Sequence, residues 1–231
     1  MRIKKYSSDL SAKHWQIIEK ILIVKRKSRW SLKDIVDAIF YVSKNGCVWR
    51  DLPADFPCWQ TVYWYFCKWV KDGTWERINR CLIVDSRAKV DKDAQPSVAI
   101  IDSQSVKNSP TCTENVGIDG GKLVKGRKRF YIVDTLGNLL DSFVSPANCY
   151  DGTTAIKYWE VVALNNILLE NIKIVYADAT FGGTFKQAMG EKMGITVEIP
   201  QIPIAQKGKV AIHEKRWIVE RTGTPSLLLG L

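Results

Sequence analysis

The sequence predicts a two-part α+β chain, with an N-terminal all-α, helix-turn-helix-like bundle and a C-terminal α/β domain. Three observations predict it. Apolar and aromatic residues recur at helical spacing through residue 84, and compact β-branched runs replace them from residue 98. Between them lies a polar, proline-bearing stretch, residues 85–97 (DSRAKVDKDAQPS), which reads as an interdomain linker.

The elements follow in order. Residues 8–23 place Leu10, Trp15, Ile18 and Leu22 at helical spacing, with Ser8 or Asp9 as N-cap. The basic segment KRKSRW (25–30) breaks the pattern, and Ser31 caps a second helix through about Ser43. Its apolar stripe is Leu32, Ile35, Val36, Ile39 and Phe40, and Gly46 is its stop. Residues 49–57 (WRDLPADFP) read as a turn-rich connector, Trp59 to about Val70 as an aromatic helix, and Thr74 to about Val84 as a fourth. Residues 98–101 (VAII) then form a buried strand delivering Asp102, followed by a loop over 103–121. Residues 129–135 and 139–145 form a hairpin that Asp151-Gly152 closes off, and 153–170 a helix. The strand 172–177 delivers Asp178, Gly182-Gly183 opens a helix to about Met193, and 195–199 is a strand. A last helix begins near Ala211 and carries Glu220.

Composition narrows the function. The chain has 231 residues, 46% of them hydrophobic, enough for a true core and too many for a disordered polar tail. No stretch approaches the roughly 18 uncharged apolar residues of a spanning helix, and MRIKKYSSDLSAKHW lacks the apolar core of a secretory signal. The six cysteines form no C-x-x-C pair and there are only two histidines, His14 and His213, so zinc has almost no ligand set. Buried thiols in a reducing cytoplasm are the expectation.

The net charge is +10, and its distribution is uneven. Residues 1–90 hold 18 Lys and Arg against 9 Asp and Glu, whereas residues 91–231 hold 16 against 15. Seven of the nine tryptophans also lie in the first 90 residues. A basic, aromatic module ahead of a nearly neutral one suits a polyanion held by its phosphates, with Lys25, Arg26, Lys27 and Arg29 as contacts. A solvated basic surface is the plainer alternative. The same pair of readings applies to Lys122, Lys125, Arg127, Lys128 and Arg129, which precede the hairpin, with contact to phosphate beside Asp102 preferred.

Three carboxylates stand where chemistry could gather them: Asp102 on the first strand, Asp178 after the fourth and Glu220 on the last helix. Neighbouring central strands could bring the two aspartates together, and the helix could lay Glu220 over them; the plainer reading of an Asp after an apolar strand is a loop cap or a surface residue. Such a cluster repels itself unless cations neutralise it. Hard divalent ions bound through oxygen do so, and two Mg²⁺ ions about 3.5–4 Å apart support hydrolysis of a phosphodiester.

The strings WRDLPADFPCWQTVYWYFCKWVKDGTWERI, IIDSQSVKNS, GGKLVKGRKRFYIVDTLGNLL, YADATFGG and RWIVERT, in this order, resemble bacterial insertion-sequence transposases of the DDE type. The resemblance runs from about residue 6 to Thr222. It implies a helical DNA-binding domain (1–84), the linker (85–97), an incomplete ribonuclease-H-like catalytic domain with a mixed central sheet (98–222), and an aberrant tail (223–231). Further implications are DNA cleavage and strand transfer at terminal inverted repeats with two Mg²⁺ ions, Mn²⁺ being the substitute. Residue by residue, Asp102 matches the first catalytic and metal-holding aspartate, Asp178 the second, and Glu220 the glutamate, with Arg216 and Arg221 beside it as DNA contacts. Double-stranded DNA, both transposon ends and target, is the implied partner. A homodimer pairing two ends and a nucleoid-associated place in a bacterial cytoplasm are also implied.

The last motif departs from the family pattern. His213 stands where Tyr is common and Leu227 where a Lys belongs, and GTPSLLLGL replaces an aromatic, basic helix. A frameshift or truncation near Thr222 is the simplest reading, a naturally short tail the other. The alternative function is therefore a catalytically dead DNA-binding remnant that occupies transposon ends and represses transposition.

Overall fold

A computed structural model describes residues 5–23, 29–109, 113–162 and 165–199 of the chain. The expected final helix, with Arg216, Glu220 and Arg221, lies outside the described residues, as do Lys25, Arg26 and Lys27. The chain forms two compact units, divided between Ser86 and Arg87.

The first unit begins with α1 (Ala12–Glu19), which starts later than the sequence suggests. Ser11 is the true N-cap, its Oγ accepting the His14 N–H at 3.2 Å, because Asp9 is already engaged by the Tyr6 N–H at 2.9 Å. The second helix, α2 (Leu32–Asn45), stops as expected at Gly46, whose φ of 66° is a left-handed value that closes the helix cheaply only for glycine. A 3₁₀ turn (Trp49–Asp51) occupies the proline-rich connector before α3 (Trp59–Lys71). The fourth helix, α4 (Thr74–Ala88), continues a turn beyond Val84 into the polar stretch. Ile18, Ile35, Val36 and Val62 are wholly buried together, and Trp69 packs with them. The aromatic helix is thereby split: Trp69 is 1% exposed whereas Trp64 on the same helix is 58% exposed.

The second unit contains β1 (Val98–Lys107), β2 (Gly117–Asp119), β3 (Val124–Asp134), β4 (Leu139–Pro146), α5 (Asp151–Val162), β5 (Ile174–Tyr176), α6 (Gly182–Met193) and β6 (Thr196–Glu198). Among the described residues one mixed sheet holds these six strands in the order β2-β3-β1-β5-β6, with β4 also on β3. Antiparallel pairing joins β1 to β3 and β3 to β4, while β5 and β6 run parallel to β1. Residues 103–107 and 117–119 are strand rather than loop, and β3 begins five residues before Arg129. The polar half of β1 is tolerated because its hydroxyls are satisfied: Ser103 Oγ donates to Asp151 at 2.8 Å and Ser105 Oγ to Asp119 at 2.5 Å. Asp151 opens α5 instead of closing the hairpin, and described residues 165–171 are turns rather than the end of that helix. There Asn166 uses its side chain on the Leu168 N–H, Leu140 O and Asp141, competing with helical hydrogen bonding.

Strand pleating gives the sheet two distinct faces. Ser103 and its cross-strand partner Phe130 lie toward α5 and the segment before α6, through Asp151 and Phe181. The opposite face carries a small cluster of Ile100, Val133, Leu139 and Tyr176. Asp102 belongs to that second face.

Candidate active site

Asp102 sits in the middle of β1, paired with Tyr131 of β3, and is half-buried. Asp178 follows β5 in extended backbone (φ −81°, ψ 174°) and is exposed. It caps a 3₁₀ turn, Ala179–Phe181, by accepting the Thr180 N–H on Oδ1 at 2.9 Å. The Thr180 hydroxyl lies against the same oxygen. Oδ2 takes no hydrogen bond from the described residues.

Register relates the two aspartates. The parallel pairing of β1 and β5 runs Val98↔Ile174, Ala99↔Val175 and Ile100↔Tyr176. Each aspartate lies two residues beyond that last pair, Asp102 still within β1 and Asp178 just past the end of β5. Asp102 keeps the face of Ile100, whereas Asp178 lies past the end of β5, where its Oδ1 meets the Thr180 hydroxyl that also reaches Asp151.

The two carboxylates are hard oxygen donors of the kind Mg²⁺ accepts, since that ion commonly binds one or two protein carboxylates and completes its shell with water and phosphate. The residues present fit a divalent cation in chemistry. Among the described residues no group of three His, Cys, Asp or Glu converges as a metal cage, and the third expected carboxylate, Glu220, lies outside them. Tyr131, cross-strand from Asp102, is 4% exposed and its hydroxyl has no hydrogen-bond partner among the described residues.

The basic run before the hairpin divides by the same pleat. Arg127 pairs with Val106 and Arg129 with Gln104, which puts both, with Lys125, on the Asp102 face. Lys125 is exposed, and the Arg129 guanidinium has no partner among the described residues. Arg127 donates to Glu114 O at 2.6 Å. Lys128 points the other way: its Nζ donates to Asp151 Oδ1 at 2.7 Å and Cys149 O at 2.9 Å, and its side chain is 11% exposed. In the first unit Arg29 is exposed and stands over Trp30, 6.0 Å from its ring centre.

Sequence reasoning missed Ser103, Asp151 and Thr180. Asp151 is 6% exposed, and its Oδ2 receives Ser103 Oγ at 2.8 Å and Thr180 Oγ1 at 3.0 Å. An Asp-Gly pair at a helix start and a Thr two residues after an Asp were the available signals, and both read first as turn chemistry. Gly152 has a packing reason of its own, because a Cβ there would collide with the Phe181 carbonyl oxygen.

Comparison with known proteins adds family relationships. Residues 10–79 match the family described as "Putative transposase of IS4/5 family", and residues 93–222 match "Transposase DDE domain". A curated relative, the insertion element IS402 uncharacterized 16.2 kDa protein of Burkholderia cepacia, is 30% identical over 103 residues, covering 40% of this chain and 69% of the relative.

Proposed function

The chain belongs to the transposase DDE domain family, and from that premise we propose that it cuts DNA at the terminal inverted repeats of an insertion sequence and joins the freed ends to target DNA. Asp102, Asp178 and Glu220 hold the divalent ions, Mg²⁺ by preference. The single observation that supports this most is that Asp102 and Asp178 each follow by two residues the last paired residues of the neighbouring parallel strands β1 and β5. Bound there, the ions would neutralise charge on the scissile phosphate and lower the energy of both attacking and leaving oxygens.

The protein's own residues supply position. Asp178 is held through Oδ1 by Thr180, which leaves Oδ2 for a cation. Arg129 and Lys125, on the same face as Asp102, grip phosphates flanking the cut, where cations favour the developing negative charge. Arg127 reaches the same face while donating to Glu114 O. A ribonuclease-H-like reading of this domain is supported by antiparallel β1, β3 and β4, with the short β2 between the first two, followed by α5, β5, α6 and β6. The first unit, with Arg29 and the basic residues near it, binds repeat-end duplex chiefly through phosphates. Two copies act together because two ends must be paired.

The test is an assay of the purified full chain on labelled repeat-end DNA with Mg²⁺. Cleavage that disappears in Asp102→Ala while end-binding persists is the expected result. Binding with no cutting by the unaltered chain would instead favour a repressor that occupies ends.

A further inference from the structure

Asp151 is a buried carboxylate on the face of the sheet opposite Asp102, and three side chains converge on it. Lys128 Nζ lies 2.7 Å from Oδ1, Ser103 Oγ 2.8 Å from Oδ2, and Thr180 Oγ1 3.0 Å from Oδ2. Ser103 directly follows Asp102, and Thr180 is the residue that holds Asp178. One carboxylate therefore touches side chains adjoining both aspartates.

We propose that Asp151, neutralised by Lys128, is a positioning residue that fixes Asp102 and Asp178 relative to one another through Ser103 and Thr180. This rests on the reading of those aspartates as cation-holding groups. Thr180 is the link. Its hydroxyl lies within hydrogen-bonding reach of two carboxylates, Asp151 Oδ2 at 3.0 Å and Asp178 Oδ1, and shares its one proton between them. Lys128 neutralises Asp151, so the two carboxylates can stand on one hydroxyl. The Thr180 N–H adds a second hold on Asp178 Oδ1. Lys128 thus acts on the aspartates through Asp151, and its place in a basic run disguises that role.

The test is Mn²⁺ binding to the full chain, titrated by electron paramagnetic resonance without DNA. Thr180→Val removes the hydroxyl at an exposed position and keeps the shape, so the fold survives. It weakens Mn²⁺ binding by about tenfold, the usual scale for a group that orients a metal ligand, and Thr180→Ser restores it. Asp151→Asn weakens binding too, and in the double variant with Thr180→Val the losses do not add, because both act through one chain of contacts. Thr180→Val binding Mn²⁺ as the unaltered chain does, while Asp178→Ala loses it, overturns the positioning role and spares the aspartates. Additive losses in the double variant overturn the link between Asp151 and Thr180. Absence of Mn²⁺ binding, or binding unaffected by Asp102→Ala and Asp178→Ala, overturns the underlying reading and this inference with it.

Discussion

Asp134 has no access to solvent, and each of its oxygens is occupied by two donors. Oδ1 accepts the Leu136 and Asn138 N–H groups at 2.8 and 2.9 Å, and Oδ2 accepts Arg87 Nη1 at 2.6 Å and Asn138 Nδ2 at 3.0 Å. A buried ion pair is tolerated when its remaining valences are filled in this way, and removing one partner strands the other. Arg87→Ala should therefore cost about 3–5 kcal/mol in urea unfolding, far more than an exposed arginine. A loss below about 1 kcal/mol would place the pair among weak surface bridges. Asp37 carries a different signature. Burial pushes its carboxyl above the usual range, against the opposing pull of Lys33 Nζ at 2.7 Å and the Leu10 N–H at 2.8 Å. The folded chain then binds this proton more tightly than the unfolded one, so the contribution is full below an unfolded pKa of about 3.9 and is lost as pH rises through the raised value. The stability of the unaltered chain relative to Asp37→Asn should fall as pH rises above about 4; a flat or rising difference contradicts it. At exposed Cys58 the Thr61 hydroxyl, 3.1 Å away, holds the thiol below its ordinary range. Thr61→Val should move the pH midpoint of its alkylation upward.

Pleating decides more at the level of elements than composition does. The run KGRKR looks uniform, yet alternation sends Arg127 and Arg129 to the Asp102 face and Lys128 to Asp151. Arg129→Ala should weaken DNA cleavage with little change in melting temperature, whereas Lys128→Ala should lower the melting temperature by stranding Asp151. The reverse pattern would contradict the assignment of faces. Gly152 makes a second case: the start of α5 lies against the Phe181 carbonyl, so Gly152→Ala should cost roughly 1–3 kcal/mol and displace the turn holding Thr180. These effects show what periodicity could and could not reveal. The stripe Ile35, Val36 and Ile39 specified α2, Gly46 its stop, and VAII the buried start of β1, because apolar period and backbone conformation are local properties. The polar half of β1 was illegible, since Ser103 and Ser105 resemble loop residues until Asp151 and Asp119 arrive from elsewhere in the chain. Ser11 likewise displaced Ser8 and Asp9 as the cap through a hydrogen bond between Asp9 and Tyr6.

For the whole molecule, the charge division and the register make separate demands. An excess of nine positive charges in residues 1–90 requires that end-binding weaken steeply with salt, by orders of magnitude across tens to hundreds of millimolar as counterions are released. Fluorescence anisotropy on repeat-end duplex measures this, and a salt-insensitive affinity would contradict phosphate-led binding. In the sequence the proposed pair was visible only as aspartates following the apolar runs of IIDSQS and YADATF. What the strings alone did not contain was the parallel pairing of β1 with β5 through Ile100 and Tyr176, two residues before each aspartate. The most direct measurement is strand cleavage of labelled repeat-end DNA with Mg²⁺ by the full chain and by Asp102→Ala and Asp178→Ala. The account predicts nicks with 3′ hydroxyl ends from the unaltered chain and none from either variant, with DNA affinity retained. Nicking that persists in either variant would contradict it.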